Sequence, residues 1–138
     1  MRKILFVCHG NICRSVSAEY ILKNKCKNIY CESRAVSNEE AGSDIYEPAK
    51  RCLDRHNIKY GKHCARKISQ KDYDEFDEIY VMDSSNLRYI NRIVDDVGHK
   101  IKMLCDYEIE DPWYTDNYDK VFEQICEGVD RIIKNENN

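Results

Sequence analysis

No apolar run in this chain approaches the length of a membrane span, so no transmembrane helix is expected. No C-x2-C pair and no paired metal spacing occur among Cys8, Cys13, Cys26, Cys31, Cys52, Cys64, Cys105 and Cys126, so no structural zinc is expected. No metal or organic cofactor is expected either, because Arg14 and backbone amides can supply the charge stabilisation that the Cys8 loop needs. Nor is a signal peptide expected. Met1-Arg2-Lys3 precedes apolar residues, but the run is short and Cys8-His9-Gly10-Asn11 interrupts it. The chain is therefore read as cytoplasmic, with reduced thiols, most of them acting as small core residues. An excess of positive charge is lacking too: 22 Lys and Arg against 25 Asp and Glu give a net charge of -3, which argues against a nucleic-acid partner. Prolines number only two, Pro48 and Pro112, and no repeat, low-complexity block or linker divides the chain. One domain over residues 1–138 is expected, with 42% hydrophobic residues to supply a core and 34% charged residues to cover it.

Against that background, one stretch organises the rest. Ile4-Leu5-Phe6-Val7 is an apolar run that stops at Cys8; Gly10 and Asn11 follow, then Arg14-Ser15 and a helical pattern. Five residues separate Cys8 from Arg14. Such a loop can curl its backbone N–H groups inward beside a helix N-terminus, which makes an anion site. Gly10 and Asn11 are the residues most able to take the positive φ that this curl needs. Arg14 can hold two phosphate oxygens in a planar fork. Cys8 is expected on the floor of the cup, where amides, helix end and guanidinium all favour its thiolate. Ser15 can donate its hydroxyl to that sulfur. A buried Cys and a surface Arg opening a helix is the plainer interpretation. The strand before, the Gly and Asn within and the helix after favour the functional one.

Elements are expected over residues 2–8 (strand), 14–26 (helix), 29–33 (strand), a Pro48-initiated helix ending near Asn57, an acidic short helix at 69–76, Ile79–Met82 (strand), a helix capped by Ser84-Ser85-Asn86, 100–105 (strand) and 117–134 (helix). Residues 34–44 read as irregular. Alternating strands and helices imply a parallel α/β sheet with helices on both faces, and ligands beyond the carboxyl ends of the strands. Cys8 and Asp83 each end a strand and are expected to face one crevice.

A thiolate that displaces a phosphoester oxygen needs an acid to protonate the leaving group. Asp111-Pro112-Trp113-Tyr114 is the leading source: Pro112 restricts Asp111, and Trp113 and Tyr114 can wall an aromatic substrate. An ordinary Asp-Pro turn with packed aromatics is the alternative. The acid must hold its proton while Cys8 is ionised, so the rate should be greatest on the acidic side of neutrality.

Cys8-His9-Gly10-Asn11-Ile12-Cys13-Arg14-Ser15 resembles the phosphate-binding loop of the low-molecular-weight protein tyrosine phosphatases. His63-Cys64-Ala65-Arg66, Met82-Asp83-Ser84-Ser85-Asn86-Leu87 and Asp111-Pro112-Trp113-Tyr114 resemble further segments of the same family. The resemblance implies a three-layer fold with strand order 2-1-3-4 and hydrolysis of protein phosphotyrosine through a phosphocysteine. It assigns Cys8 as nucleophile, Arg14 as phosphate clamp and Asp111 as general acid, with His9 to Ser15 forming the phosphate loop. It further implies that Asn11, Ser15, Ser33 and His63 prop that loop, and that Cys13 protects an oxidised Cys8 as a reversible disulfide. A monomer, acting on phosphotyrosine-containing proteins and not on nucleic acid or membrane, is the implied state.

Three departures bear on substrate. Glu39 falls where the family has an aromatic rim residue, Arg34 replaces a small residue, and Val16 stands where Pro is common. Three other functions are weighed. Arsenate reductases of this fold need extra cysteines just after the third strand, and residues 82–97 hold none. Protein-arginine phosphatases resemble this loop with Thr at the position of Ile12. A non-catalytic phosphate-binding module would not need Cys8, Arg14, Ser15 and Asp111 together.

Overall fold

Alternation along the first strand sorts its side chains onto two faces, and each face finds its own layer of helices. The computed structural model describes residues 1–136; the last two positions of the expected 1–138 domain lie outside the described residues. Strand β1 (Arg2–Cys8) lies between β2 (Ile29–Ala35) and β3 (Glu78–Val81), and β4 (Ile101–Met103) pairs with β3. All pairings are parallel, in the order β2-β1-β3-β4. Ile4, Phe6 and Cys8 point into one core with Val16, Ile21 and Leu22 of α1 (Arg14–Lys25), Ala49, Cys52 and Leu53 of α2 (Glu47–Arg55), and Val121, Ile125 and Val129 of α6 (Tyr118–Glu136). Leu5 and Val7 point into the other, with Tyr73 of α3 (Gln70–Glu75) and Ile90 of α4 (Ser84–Ile93). The sheet is thus buried on both sides, as a parallel sheet must be. Among the described residues no helix is long and apolar enough to cross a membrane.

Besides shifts of a residue or two, as in β3, which starts at Glu78 and ends at Val81, four features differ from the sequence expectation, each for a local reason. Strand β2 runs on to Ala35 because Arg34, expected in the irregular stretch, is buried beside its own counter-ions. Its guanidinium bonds Glu32 Oε1 at 2.8 Å and Asp72 Oδ2 at 3.2 Å, so a charged residue can occupy an inward position. Burial alone would make that guanidinium easier to deprotonate; Glu32 and Asp72 outweigh it and hold its pKa above the ordinary value. Strand β4 is three residues, shorter than the expected 100–105: Ile101–Met103 stand in register with β3, and Lys100 O and Leu104 N close the ladder at its two ends. Helix α4 is capped by Asp83, whose carboxylate accepts from Asn86 N at 2.7 Å, rather than by the serines that follow. A short helix, α5 (Pro112–Thr115), was not expected at all; Asp111 is its N-cap and Pro112 opens it.

Candidate active site

The carboxyl ends of β1 and β3 deliver Cys8 and Asp83 to one end of the sheet, and the loop after β1 closes into a cup there. Asn11 makes the turn with φ 61°; Gly10 keeps a negative φ, so of the two residues expected to take left-handed backbone only Asn11 does. That conformation is uncommon for a residue with a Cβ and persists where surroundings fix it. Here they do. His63 Nε2 lies 2.6 Å from Asn11 O and donates to it. Arg66 N donates to Asn11 Oδ1 at 3.4 Å, and Asn11 Nδ2 donates to Ser15 Oγ at 2.8 Å. Asp44 Oδ1 accepts from His63 N at 3.1 Å and so places the histidine's backbone.

The sulfur of Cys8 is the focus of the cup. Asn11 N donates to it at 3.3 Å and Ser15 N at 3.4 Å, and Ser15 Oγ lies 3.0 Å away. Because that oxygen already accepts from Asn11, its single proton is available to the sulfur, with Arg34 O at 3.4 Å as the competing acceptor. Three donors converging on one buried sulfur stabilise negative charge there. Cys8 is 3% exposed.

Arg14 is 2% exposed and fixed in plane. Its Nη1 donates to Ile109 O and to Asp83 Oδ2, both at 2.8 Å, while Nη2 stands 3.5 Å from Asp111 Oδ2. Burial works against this charge, but Cys8, Asp83 and Asp111 outweigh it and hold the guanidinium above its ordinary pKa. Asp111 therefore approaches the cup from α5, with Oδ1 accepting from Trp113 N at 3.1 Å and Oδ2 turned toward Arg14. Cys8, Cys13, Arg14, Asp111, Trp113 and Tyr114 line a cavity of about 120 Å³, with His9, Gly10, Ile12, Glu39 and Glu40 completing it.

The structure thus brings together most of the residues singled out from sequence. Ser33 is the exception. Its hydroxyl donates to Glu19 Oε1 at 2.6 Å, beneath β2, and not to Asn11 or His63. Along β2 it is Arg34, through its carbonyl, that touches Ser15. Glu39 does stand on the rim, 3.3 Å from His9 Nε2, and Glu40 beside it also faces the cavity. Cys13 is buried in the same loop, its thiol pushed up to about 12 by burial, then by the charges of Cys8 and Asp111. Sequence reasoning missed Tyr46, which caps α2, donates its N–H to Ile12 O at 3.0 Å and packs on Trp113 with ring centroids 4.7 Å apart. It also missed Tyr89, edge-on to His9 at 5.7 Å. Neither carries a local signal, since each meets the loop only through the fold.

A thiol ringed by amide and hydroxyl donors, a planar cation beside it and a carboxylic acid at the mouth, set at the carboxyl end of a parallel sheet, define a phosphate-handling hydrolase of the α/β class. Comparison with known proteins agrees. Residues 3–136 match the family model for low molecular weight phosphotyrosine protein phosphatase, and the chain belongs to that family. It is 37% identical to the low molecular weight phosphotyrosine protein phosphatase of Rattus norvegicus over 96% of this chain and 92% of that protein. It is 31% identical to the low molecular weight protein-tyrosine-phosphatase YfkJ of Bacillus subtilis, over 96% of this chain and 94% of that one. The crystal structure of YfkJ superposes with a TM-score of 0.92 at 30% identity, covering 98% and 94% of the two chains. A low molecular weight protein tyrosine phosphatase from Streptococcus pyogenes superposes with 0.91 at 30% identity, covering 98% and 93%.

Proposed function

We propose that residues 1–138 act as one cytoplasmic, monomeric phosphatase domain that hydrolyses phosphotyrosine in proteins with no metal or organic cofactor taking part in the chemistry. The convergence of Asn11 N, Ser15 N and Ser15 Oγ on Cys8 Sγ carries this reading, because it prepares a nucleophile at the bottom of an anion cradle. The phosphate dianion sits against the loop amides of His9 to Ser15, two of its oxygens on Arg14. Cys8 thiolate attacks phosphorus; an S–P bond forms as the ester O–P bond breaks. Asp111 delivers its proton to the departing phenolate. Water then attacks the phosphocysteine, Asp111 takes back a proton, the S–P bond breaks and inorganic phosphate leaves. Ser15 stabilises the sulfur each time it carries charge. Fixed donors aimed at developing charge commonly supply more of the rate enhancement than any other single effect.

The rim supports an aromatic substrate on one side. Trp113, 49% exposed, and Tyr46 form a tilted pair, and Tyr114 is 84% exposed beside them. The opposite side carries Glu39 and Glu40, which repel acidic peptides. The deciding experiment measures turnover of p-nitrophenyl phosphate, phosphotyrosine, phosphoarginine and phosphoserine peptides, and arsenate. Phosphotyrosine should lead. Cys8→Ser should lose nearly all activity, and Asp111→Asn should lose on the order of 10²–10³ in rate while still forming a phosphoenzyme. A Cys8→Ser protein with substantial activity, or a chain that never yields a phosphorus–sulfur adduct after rapid quenching, refutes the mechanism.

A further inference from the structure

Three donors of a different kind meet at the seam between α2 and α6, away from the phosphate cup. Cys52 on α2 and His56, the residue that caps its C-terminus, are four positions apart and stand on one side of the helix end. Asp119, in the first turn of α6, reaches across to them. His56 Nε2 is 2.9 Å from Asp119 Oδ1, Cys52 Sγ is 3.7 Å from the same oxygen, and the three ligand atoms all lie within 4.8 Å of one another. Around a tetrahedral zinc ion, with metal–sulfur near 2.3 Å and metal–nitrogen or metal–oxygen near 2.0–2.1 Å, neighbouring donor atoms stand roughly 3.2–3.7 Å apart. Two of the three separations therefore stand within several tenths of an ångström of that spacing, and the third lies within 4.8 Å, inside the reach of a side-chain rotation.

Its surroundings favour the same geometry. The His56 ring is stacked on Phe122 at 3.9 Å and 12°, which fixes the direction of its nitrogen. Cys52 is buried, and its thiol makes only long contacts, including one of 3.5 Å to Tyr118 O. One group opposes binding: Arg55 Nη2 lies 3.1 Å from Asp119 Oδ1. A carboxylate has two oxygens, so the guanidinium can move to the second while the first takes the metal. A thiolate with an imidazole is poor for calcium or magnesium and suits zinc-class ions.

We propose that Cys52, His56 and Asp119 form a three-ligand site for a zinc-class divalent cation, pinning the start of α6 to α2. Water or Tyr118 O supplies the fourth ligand. The ion replaces the thiol proton of Cys52, which passes to solvent, and no electrons move. The C-x3-H spacing is silent in the sequence because the third ligand comes from 63 residues further on, through the packing of two helices.

Cobalt(II) serves as the probe, because a thiolate–cobalt bond has a charge-transfer absorption that oxygen and nitrogen ligands lack. The full chain carries Cys8→Ser and Cys64→Ser, which remove the active-site sulfur and the exposed thiol. Titration should give that absorption at one equivalent. Adding Cys52→Ser should abolish it, and His56→Gln or Asp119→Asn should each weaken binding at least tenfold. Zinc should raise the Tm of the parent by several degrees and that of these variants by less. If Cys52→Ser fails to fold, the His56 and Asp119 variants decide alone. Absence of cobalt binding, absorption that survives Cys52→Ser, or affinity indifferent to both His56→Gln and Asp119→Asn overturns the proposal.

Discussion

Asn11 shows how much rests on one side chain at the phosphate loop. It occupies left-handed backbone, is 0% exposed, and its amide joins Ser15 to Arg66 N. Asn11→Ala removes both side-chain bonds and keeps the strained φ, so it should destabilise the fold by roughly 2–4 kcal/mol. Asn11→Gly relieves the φ and loses the same bonds, so its urea midpoint should fall less while its kcat falls as far. A glycine variant less stable than the alanine variant contradicts this account of the turn. Cys13 offers a second test at this scale. Its thiol stays protonated at neutral pH, chiefly because it is buried, so it should resist alkylation in the reduced protein. After peroxide and then thiol, wild type should regain activity and Cys13→Ala should not; equal recovery rules out protection. The loop's Cys, Asn and Arg were legible as types at a spacing. The partners of Asn11 were legible only by resemblance, and Ser33, placed with them on the same ground, donates instead to Glu19 Oε1.

At the level of elements, the fit of α6 against the end of β4 is tight at one point. A Cβ built on Gly128 would lie 2.5 Å from Leu104 Cγ and 2.8 Å from Leu104 Cδ1. Gly128→Ala should therefore cost about 1–3 kcal/mol through overpacking despite alanine's better helix propensity. Thermal unfolding checks the sign, and Leu104→Ala in the same chain should restore part of the loss; simple additivity of the two changes argues against this contact. Elements with strong periodicity or a clear breaker were readable: β1, α1 and α6 lie within one or two residues of expectation. The errors fall where a tertiary contact overrides local chemistry. Arg34 extends β2 because Glu32 and Asp72 neutralise it, and Asp111 nucleates α5 because its carboxylate caps Trp113 N.

For the whole molecule, buried thiols predict an alkaline limit. Burial pushes Cys13 and Cys31 up to about 12 from an ordinary 9.0, aided by the negative charges of Cys8 and Asp111 at the first and of Glu19 at the second. Below pH 9.0 both thiols are protonated whether the chain is folded or not, so neither adds a pH dependence. Between 9.0 and about 12 the unfolded chain releases protons that the fold retains, and stability falls as pH rises. Tm should thus decline steeply above pH 9.0, and less steeply in Cys31→Ala; equal slopes would exclude the thiol as a cause. The sequence alone determined the layer architecture and the chemistry of the cup, because hydrophobic period, strand ends and a C-x5-R loop are properties of neighbours along the chain. Only the tertiary structure decided that Asp83 and Ile109 O lock Arg14, that Tyr46 packs on Trp113, and that Cys52 and His56 meet Asp119. Those partners are joined by packing across the sheet and between helices, and no interval in the sequence encodes the distance between them.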